Sequence, residues 1–301
     1  MKPAQPIPYQ GSKRLQAPKI IDYLPNKFER LVEPFAGSAA LTYAVAVRQR
    51  TSAFLINDLN RPLINLLYRI IEHPDEIGYR YREVWTKQLG NEKEYYKTVR
   101  SLFNDEQRSE YFLYLLARCV KGAVRYNSSG EFNQSPDNRR LGRKPASMIK
   151  EIQRFSKELK GKCSFKSLDY RELFDYLREG DVVYMDPPYQ GTSKKKDSRY
   201  LEGLQVDEFV ESLERLNDLE IPYLFSYDGK LGNKSYGVEL PSRLKLKKIS
   251  INTGRSTTST LNGGKAHTVE SLYISEALVN MRSREPKNQD CNSQLLMNFS
   301  A

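Results

Sequence analysis

The chain has 301 residues, with 48 basic against 37 acidic side chains and a formal net charge of +11. That length holds one large domain or two modest ones with ample core, and the basic balance favours a polyanionic partner. Cys119, Cys163 and Cys291 lack disulfide-framework or zinc-ligand spacing, and His73 and His267 are too few for a histidine triad or a metal cluster. The polar, Pro-rich start and the lack of a long apolar run predict a soluble cytoplasmic protein, with no membrane partner and reduced thiols.

In chain order, the segment Pro8-Tyr9-Gln10-Gly11-Ser12-Lys13-Arg14 reads as a loop, followed by a helix ending near Leu24 and Pro25. Residues 31–35 form a short apolar run with strand character, Ala36-Gly37-Ser38 is the turn after it, and 39–48 is a small-residue helix. Residues 53–57 are the next strand, with Asp58 at its carboxyl end. Strand, glycine turn, helix, strand and acid begin a doubly wound α/β unit. From about 61 to 120 the periodicity is helical, and 121–150 is polar and turn-rich, with Asn127-Ser128-Ser129-Gly130 as a hairpin tip. Strand signals resume at 163–168, 181–185, 221–226, 246–251 and 268–275, with helices expected at 170–178 and 206–219. The end of the chain, from about Arg282, has little apolar content and is expected to be loosely ordered.

The most informative segment is Asp186-Pro187-Pro188-Tyr189, directly after the buried-strand pattern of 181–185. Proline fixes φ and lacks an N–H. The Asp186 carboxylate and the Pro187 carbonyl can take the two hydrogens of an exocyclic amine, and Tyr189 can stack on its ring, which suits a flipped base. The plain alternative is a strand ending in a Pro-Pro turn with a capping Asp.

Other segments carry two readings each. In Glu33-Pro34-Phe35-Ala36-Gly37-Ser38-Ala39-Ala40, small residues after a strand let a ligand approach the backbone at a helix N-terminus, or simply make a tight turn. Asp58, about twenty residues after the glycine turn, is placed to bind ribose hydroxyls or to cap a helix before Arg61-Pro62. Asp169 can accept from a cofactor adenine amine or cap the helix that follows it. The stretch from Lys121 to Lys144 interleaves Lys121, Arg125, Arg139 and Arg140 with Tyr126, Asn127 and Asn133. Such side chains grip phosphates and read base edges, unless the stretch is only a solvated loop. Lys194, Lys195 and Lys196 follow Tyr189 closely and can hold a nucleotide backbone, or face solvent.

Taken together, these residues resemble the Dam-like (D12 class, alpha group) DNA adenine-N6 methyltransferases. The order Phe35-Ala36-Gly37, Asp58, insertion, Asp186-Pro187-Pro188-Tyr189 matches, and Arg125-Tyr126-Asn127-x-x-Gly130-x-Phe132-Asn133 is similar to that group's recognition hairpin. The resemblance implies S-adenosyl-L-methionine as cofactor, with Tyr9, Gly11 and Lys13 in its N-terminal contact segment, Asp58 on the ribose and Asp169 on the adenine. That segment is usually Trp-Ala-Gly-Gly-Lys and here reads Tyr9-Gln10-Gly11-Ser12-Lys13, and Ala39 stands where a glycine is frequent. The implied fold is α/β: a seven-stranded, mostly parallel methyltransferase sheet whose last strand runs antiparallel, with an inserted, mainly helical recognition region carrying a hairpin. Residues 1–75 and 150–280 would form the catalytic and cofactor-binding domain, 76–149 the DNA target-recognition domain, and 281–301 a disordered tail.

The implied activity is site-specific transfer of a methyl group to adenine N6 in double-stranded DNA, and a monomer on duplex DNA is the default expectation. Its role would be the modification enzyme of a system with a cognate restriction endonuclease, or a solitary methylase. The rival readings are an RNA adenine or DNA cytosine-N4 methyltransferase, a protein-amide methyltransferase, and a non-catalytic DNA-binding protein with a vestigial cofactor fold.

Overall fold

The structure, a computed structural model, describes residues 3–188, 205–231, 234–236, 239–255 and 267–285. Tyr189, Lys194, Lys195, Lys196 and Cys291 lie outside the described residues, as does most of the expected tail.

The sheet is built from β1 (Arg30–Glu33), β2 (Phe54–Asn57), β3 (Cys163–Lys166), β4 (Asp181–Met185), β5 (Tyr223–Leu231), β6 (Lys234–Tyr236), β7 (Lys247–Arg255) and β8 (His267–Ile274). Seven of these lie in the order β3-β2-β1-β4-β5-β8-β7, and β6 pairs off the path with β5. The pairs β1–β2, β1–β4, β2–β3 and β4–β5 are parallel. β8 runs antiparallel to both β5 and β7, so it is the one reversed strand of the seven. That matches the expected sheet. The short β6 was not expected, and β5 and β7 run several residues beyond the apolar runs that announced them.

Strand alternation divides the core between the two faces of the sheet. Leu31, Phe54, Ile56, Val182, Tyr184, Leu272 and Ile274 point to one buried cluster, and Val32, Leu55, Val183, Met185, Phe225 and Tyr273 to the other. Helix α9 (Val206–Asp218) covers the second face with Phe209, Val210, Leu213 and Leu216. The first face is covered by α1 (Ala17–Ile21), α2 (Ala40–Val47), α3 (Arg61–Glu72) and α7 (Pro145–Leu159). At the amino ends of β1 and β4, Arg30 donates to the buried Asp181 through Nε at 2.8 Å and Nη2 at 2.6 Å. This two-pronged pair pins the register at the end of the sheet away from Asp186.

Between β2 and β3 the chain forms α3, α4 (Pro74–Thr86), α5 (Glu92–Glu106), α6 (Ser109–Arg118), a polar loop, and α7. The first-face cluster continues from Leu31 through Leu63 and Leu67 to Tyr81, Tyr96, Phe103, Phe112 and Phe132. Phe103 and Phe112 stack with centroids 4.8 Å apart. The inserted helices thus share one apolar core with the sheet face.

Several helices differ from expectation: α1 ends at Ile21, short of Leu24, and no helix was expected where α7 forms. Residues 145–150 were expected in a turn-rich stretch but begin α7, where Pro145 takes a first-turn position and Met148, Ile152, Phe155 and Leu159 are buried at helical spacing. Residues 170–178 were expected as one helix. They form α8 (Tyr170–Leu173) and a 3-10 turn, Phe174–Tyr176. After β8, α10 (Glu276–Ser283) runs into the residues expected to be loose, because the Ser275 side chain caps Leu278 N–H and Leu278 is buried.

Candidate active site

Strand order reverses between β1 and β4, whose neighbours β2 and β5 lie on opposite sides. The carboxyl ends of the two central strands therefore open a crevice at this switch point, where ligands of open α/β sheets bind. The glycine turn leaves β1 there, and Asp186-Pro187-Pro188 leaves β4 there.

The turn is tightly fixed. Ala36 N–H donates to Asn57 O at 2.8 Å, and Ala39 N–H to Ala36 O at 2.7 Å. Gly37 has φ +51°, and an added Cβ would lie 3.2 Å from Tyr9 Cε1, so the Tyr9 ring closes over the turn. Ala39, which caps α2, also takes a left-handed conformation with φ 51°. Glycine adopts that conformation at least strain, which gives a physical reason for a glycine at this position. The Phe35 ring packs on Tyr170 with centroids 5.1 Å apart.

Asp58 faces the same turn. Its Oδ2 accepts Gly37 N–H and its Oδ1 accepts Asn60 N–H, both at 2.9 Å. Burial pushes its carboxyl up, against these two backbone donors. An ionised carboxylate has about four lone-pair positions, so two donors leave it capacity for ribose hydroxyls. Asn57 braces the strand ends: its Nδ2 donates to Pro34 O at 2.9 Å and Leu168 O at 3.0 Å, and its Oδ1 accepts Leu168 N–H at 2.9 Å. Asp169 caps α8 through Arg171 N–H at 2.9 Å and pairs with the Arg171 guanidinium at 2.8 Å. Partial burial opposes its charge, but the Arg171 bonds hold its carboxyl below the usual range.

The N-terminal segment crosses the crevice. Gly11 turns with φ 85°, and Gln10 N–H donates to Gly122 O at 3.1 Å. Ser12 Oγ meets Ser38 Oγ at 2.8 Å, and the next residue, Lys13, is buried. Lys13 Nζ lies 3.2 Å from Asp186 Oδ1 and 2.9 Å from Glu270 Oε2. Burial opposes its charge, but Asp186 and then Glu270 hold its pKa above the ordinary lysine value. Ser12 and Lys13 thus tie the glycine turn to the Asp186 motif. Asp186 is half-buried and Pro187 buried.

Beneath the turn, Glu33 is fully buried, with its Oε2 accepting Thr42 N–H at 3.1 Å and the Thr42 hydroxyl. Burial raises it to about 7, the Thr42 bonds working against the rise and Asp186 adding to it.

The expected hairpin forms, with Tyr126 bridged antiparallel to Phe132. Its side chains divide into two groups. Lys121, Arg125, Asn133, Arg139 and Arg140 are exposed, the last two beside Asp137. Asn127 is spent inside the turn: its Oδ1 accepts Ser129 N–H at 3.0 Å and Glu131 N–H at 2.9 Å, and its Nδ2 donates to Glu131 Oε2 at 2.8 Å. The Tyr126 hydroxyl donates to Asn60 Oδ1 at 3.2 Å, next to Asp58. Buried Arg118 braces the loop that shows Arg139 and Arg140, donating from Nη1 to Asp137 O at 2.9 Å and also to Arg140 O.

Glu270, Asn60 and Arg118 were not singled out from sequence, and Glu33 was named only as the start of the segment that leads into the glycine turn. Glu270 had one available signal. It shares a strand face with Leu272 and Ile274, so it is an acid on a core-facing row.

Among the described residues no helix is long and apolar enough to cross a membrane, and no group of acid, histidine and cysteine side chains is disposed to hold a metal ion.

The model of the D12 class N6 adenine-specific DNA methyltransferases matches residues 9–251. This chain belongs to that family of DNA-methylating enzymes. It is 32% identical over 211 residues to the Escherichia coli "Retron Ec67 DNA adenine methylase", covering 68% of this chain and 67% of that protein. It is 31% identical to the "DNA adenine methylase" of Serratia marcescens, covering 61% and 66%. With the "Type II methyltransferase M1.LlaDCHI" of Lactococcus lactis subsp. cremoris it shares 30% identity, covering 60% and 64%. The matched region therefore spans about two thirds of these relatives. The family acts on DNA and uses a methyl donor.

Proposed function

We propose that this chain transfers a methyl group from S-adenosyl-L-methionine to N6 of an adenine flipped out of duplex DNA. The observation that carries the reading is the placement of Asp186, at the carboxyl end of β4 in the switch-point crevice, joined by Ser12 and Lys13 to the glycine turn and Asp58.

The residues at the turn fit the cofactor. Gly37 keeps the backbone approachable, and Asp58 retains acceptor capacity for the ribose. Tyr9, Gly11, Phe35, Ala36, Ser38 and Ala39 would line the same pocket. Asp169 would reach an adenine amine only while keeping its cap on α8. When bound, the cofactor would supply an electrophilic sulfonium methyl to the N6 lone pair, the C–S bonding pair staying on sulfur. Asp186 and the Pro187 carbonyl accept the N6 hydrogens and aim the lone pair. Proximity and alignment then supply much of the acceleration. The same acceptors stabilise the positive charge that develops on N6, and one proton is lost to water after transfer.

Flipping takes a few kcal/mol, and stacking on Tyr189 would offset about 1–3 kcal/mol of that. Residues 76–149 would form the target-recognition region and residues 1–75 with 150–280 the catalytic part. Lys121, Arg125, Asn133, Arg139 and Arg140 would contact DNA from the exposed edge of the hairpin and loop, with Lys194 and Lys195 beside the flipped nucleotide. Asn127 would shape the hairpin tip, and Tyr126 would fix the hairpin to Asn60. The protein would act as a cytoplasmic monomer on duplex DNA. Its place would be that of the modification enzyme of a restriction system, as the likeness to a type II methyltransferase supports, or it would act alone, as the likeness to DNA adenine methylases supports.

Labelled methyl donor and unmethylated duplex DNA test the reading. Label recovered as N6-methyladenine after digestion to nucleosides is expected. Label recovered only as N4-methylcytosine, or only from added RNA, would overturn it.

A further inference from the structure

Among the described residues, Lys13, Asp186 and Glu270 form a charge cluster whose members come from the N-terminal segment, the end of β4 and the middle of β8. Lys13 sits between the two acids, at 3.2 Å from Asp186 Oδ1 and 2.9 Å from Glu270 Oε2, with its side chain 9% exposed. Glu270 reaches this position because β8 lies beside β5, whose register shifts between Ser226 and Gly229 next to it. Such irregularities re-aim side chains near functional sites.

A pair of Lys13 and Asp186 alone would be electrically neutral. It would also set an ammonium beside an amine that turns cationic during methyl transfer, and like charges at short range in a dry site repel strongly. A second acid changes the balance. We infer that Glu270 is a positioning residue for methyl transfer: it holds Lys13 against Asp186 and cancels the lysine charge, so that the cluster faces the reacting amine with a net negative charge. This rests on the assignment of Asp186 as the acceptor for the amine. Glu270 exchanges no proton and forms no bond to substrate. It acts through Lys13.

The test uses the full chain, S-adenosyl-L-methionine and duplex DNA, with single-turnover methyl transfer measured beside equilibrium Kd values for DNA and cofactor. Glu270→Gln keeps a group able to accept from Lys13 but removes the charge. It is expected to slow transfer about tenfold while both Kd values stay unchanged. Glu270→Asp, which keeps the charge, is expected to recover most of that loss. Slowed transfer by Glu270→Gln with both Kd values unchanged, together with recovery by Glu270→Asp, is an outcome that a merely structural role for Glu270 would not give. Transfer by Glu270→Gln at the wild-type rate, or no recovery by Glu270→Asp, would overturn the inference. Absence of DNA adenine methylation by the wild-type protein would instead strike the proposed function itself.

Discussion

The Lys13 ammonium lies 3.2 Å from the Asp186 carboxylate, so the N-terminal segment and the end of β4 meet in one ion pair. Ser12, the residue before, touches Ser38 of the glycine turn at 2.8 Å. Two adjacent side chains thus link the turn proposed to carry the cofactor with the carboxylate proposed to receive the amine. A few tenths of an ångström at either end would misalign the reaction, and a misplacement of 1 Å can lower a rate about 100-fold.

Asp186→Asn should remove most methyl transfer, by about 100- to 1,000-fold, because it takes away a preorganised negative acceptor. DNA affinity should be retained, since the exposed basic residues lie elsewhere. Single-turnover transfer and a gel-shift titration read the two effects separately, and wild-type turnover by the variant would remove Asp186 from the mechanism.

Asp58→Ala should weaken cofactor binding by about 10- to 100-fold, because it deletes the proposed ribose acceptor and leaves Gly37 N–H and Asn60 N–H without their partner. DNA affinity without cofactor should change little. Calorimetry of cofactor binding checks this. An unchanged Kd would reduce Asp58 to a backbone brace.

Replacing Arg139 and Arg140 together by Ala should weaken binding to all DNA sequences alike and lower the salt slope by about 1 for each phosphate no longer neutralised. Arg125→Ala should instead relax the choice of target site. Affinity measured across a salt series on target and non-target duplexes distinguishes the two patterns. A salt slope unchanged in the double variant would assign phosphate neutralisation to other basic residues.

Glu33 gives a stability test with a definite sign. Its carboxyl is raised to about 7 in the folded protein, chiefly by burial. Between the ordinary carboxylate range and about 7, the folded state binds more protons than the unfolded state, so stability falls as pH rises through that window. Glu33→Gln, whose amide oxygen can still accept from Thr42, should stabilise the protein at pH 8 by roughly 3 kcal/mol and by much less at pH 5. Denaturant unfolding at the two pH values measures it, and a variant equally stable relative to wild type at both would contradict a Glu33 carboxyl raised by burial.

Much of the fold was legible because the sheet's strands are short apolar runs bounded by turn residues, and because Asp58 and Asp186 directly follow two of them. Helix α7 was missed because Lys144, Ser147 and Lys150 mask an apolar row that only Met148, Ile152, Phe155 and Leu159 reveal. Lys13 was expected at the cofactor, and its contact with Asp186 depends on a chain crossing that no local pattern encodes. Glu270 was out of reach for the same reason: only the placement of β8 against β5 brings it to Lys13. In the hairpin, the residue types suited base reading, but the amide of Asn127 closes its own turn, as short polar side chains before a glycine tend to do.

The most direct measurement is incubation of unmethylated genomic DNA with the wild-type protein and S-adenosyl-L-methionine, followed by single-molecule sequencing that detects modified bases. N6-methyladenine confined to one short sequence context is expected, and its absence from a parallel reaction with Asp186→Asn. No modified adenine from a wild-type protein that binds the cofactor, or equal modification by the variant, would contradict the assignment of Asp186 as the acceptor in DNA adenine methylation.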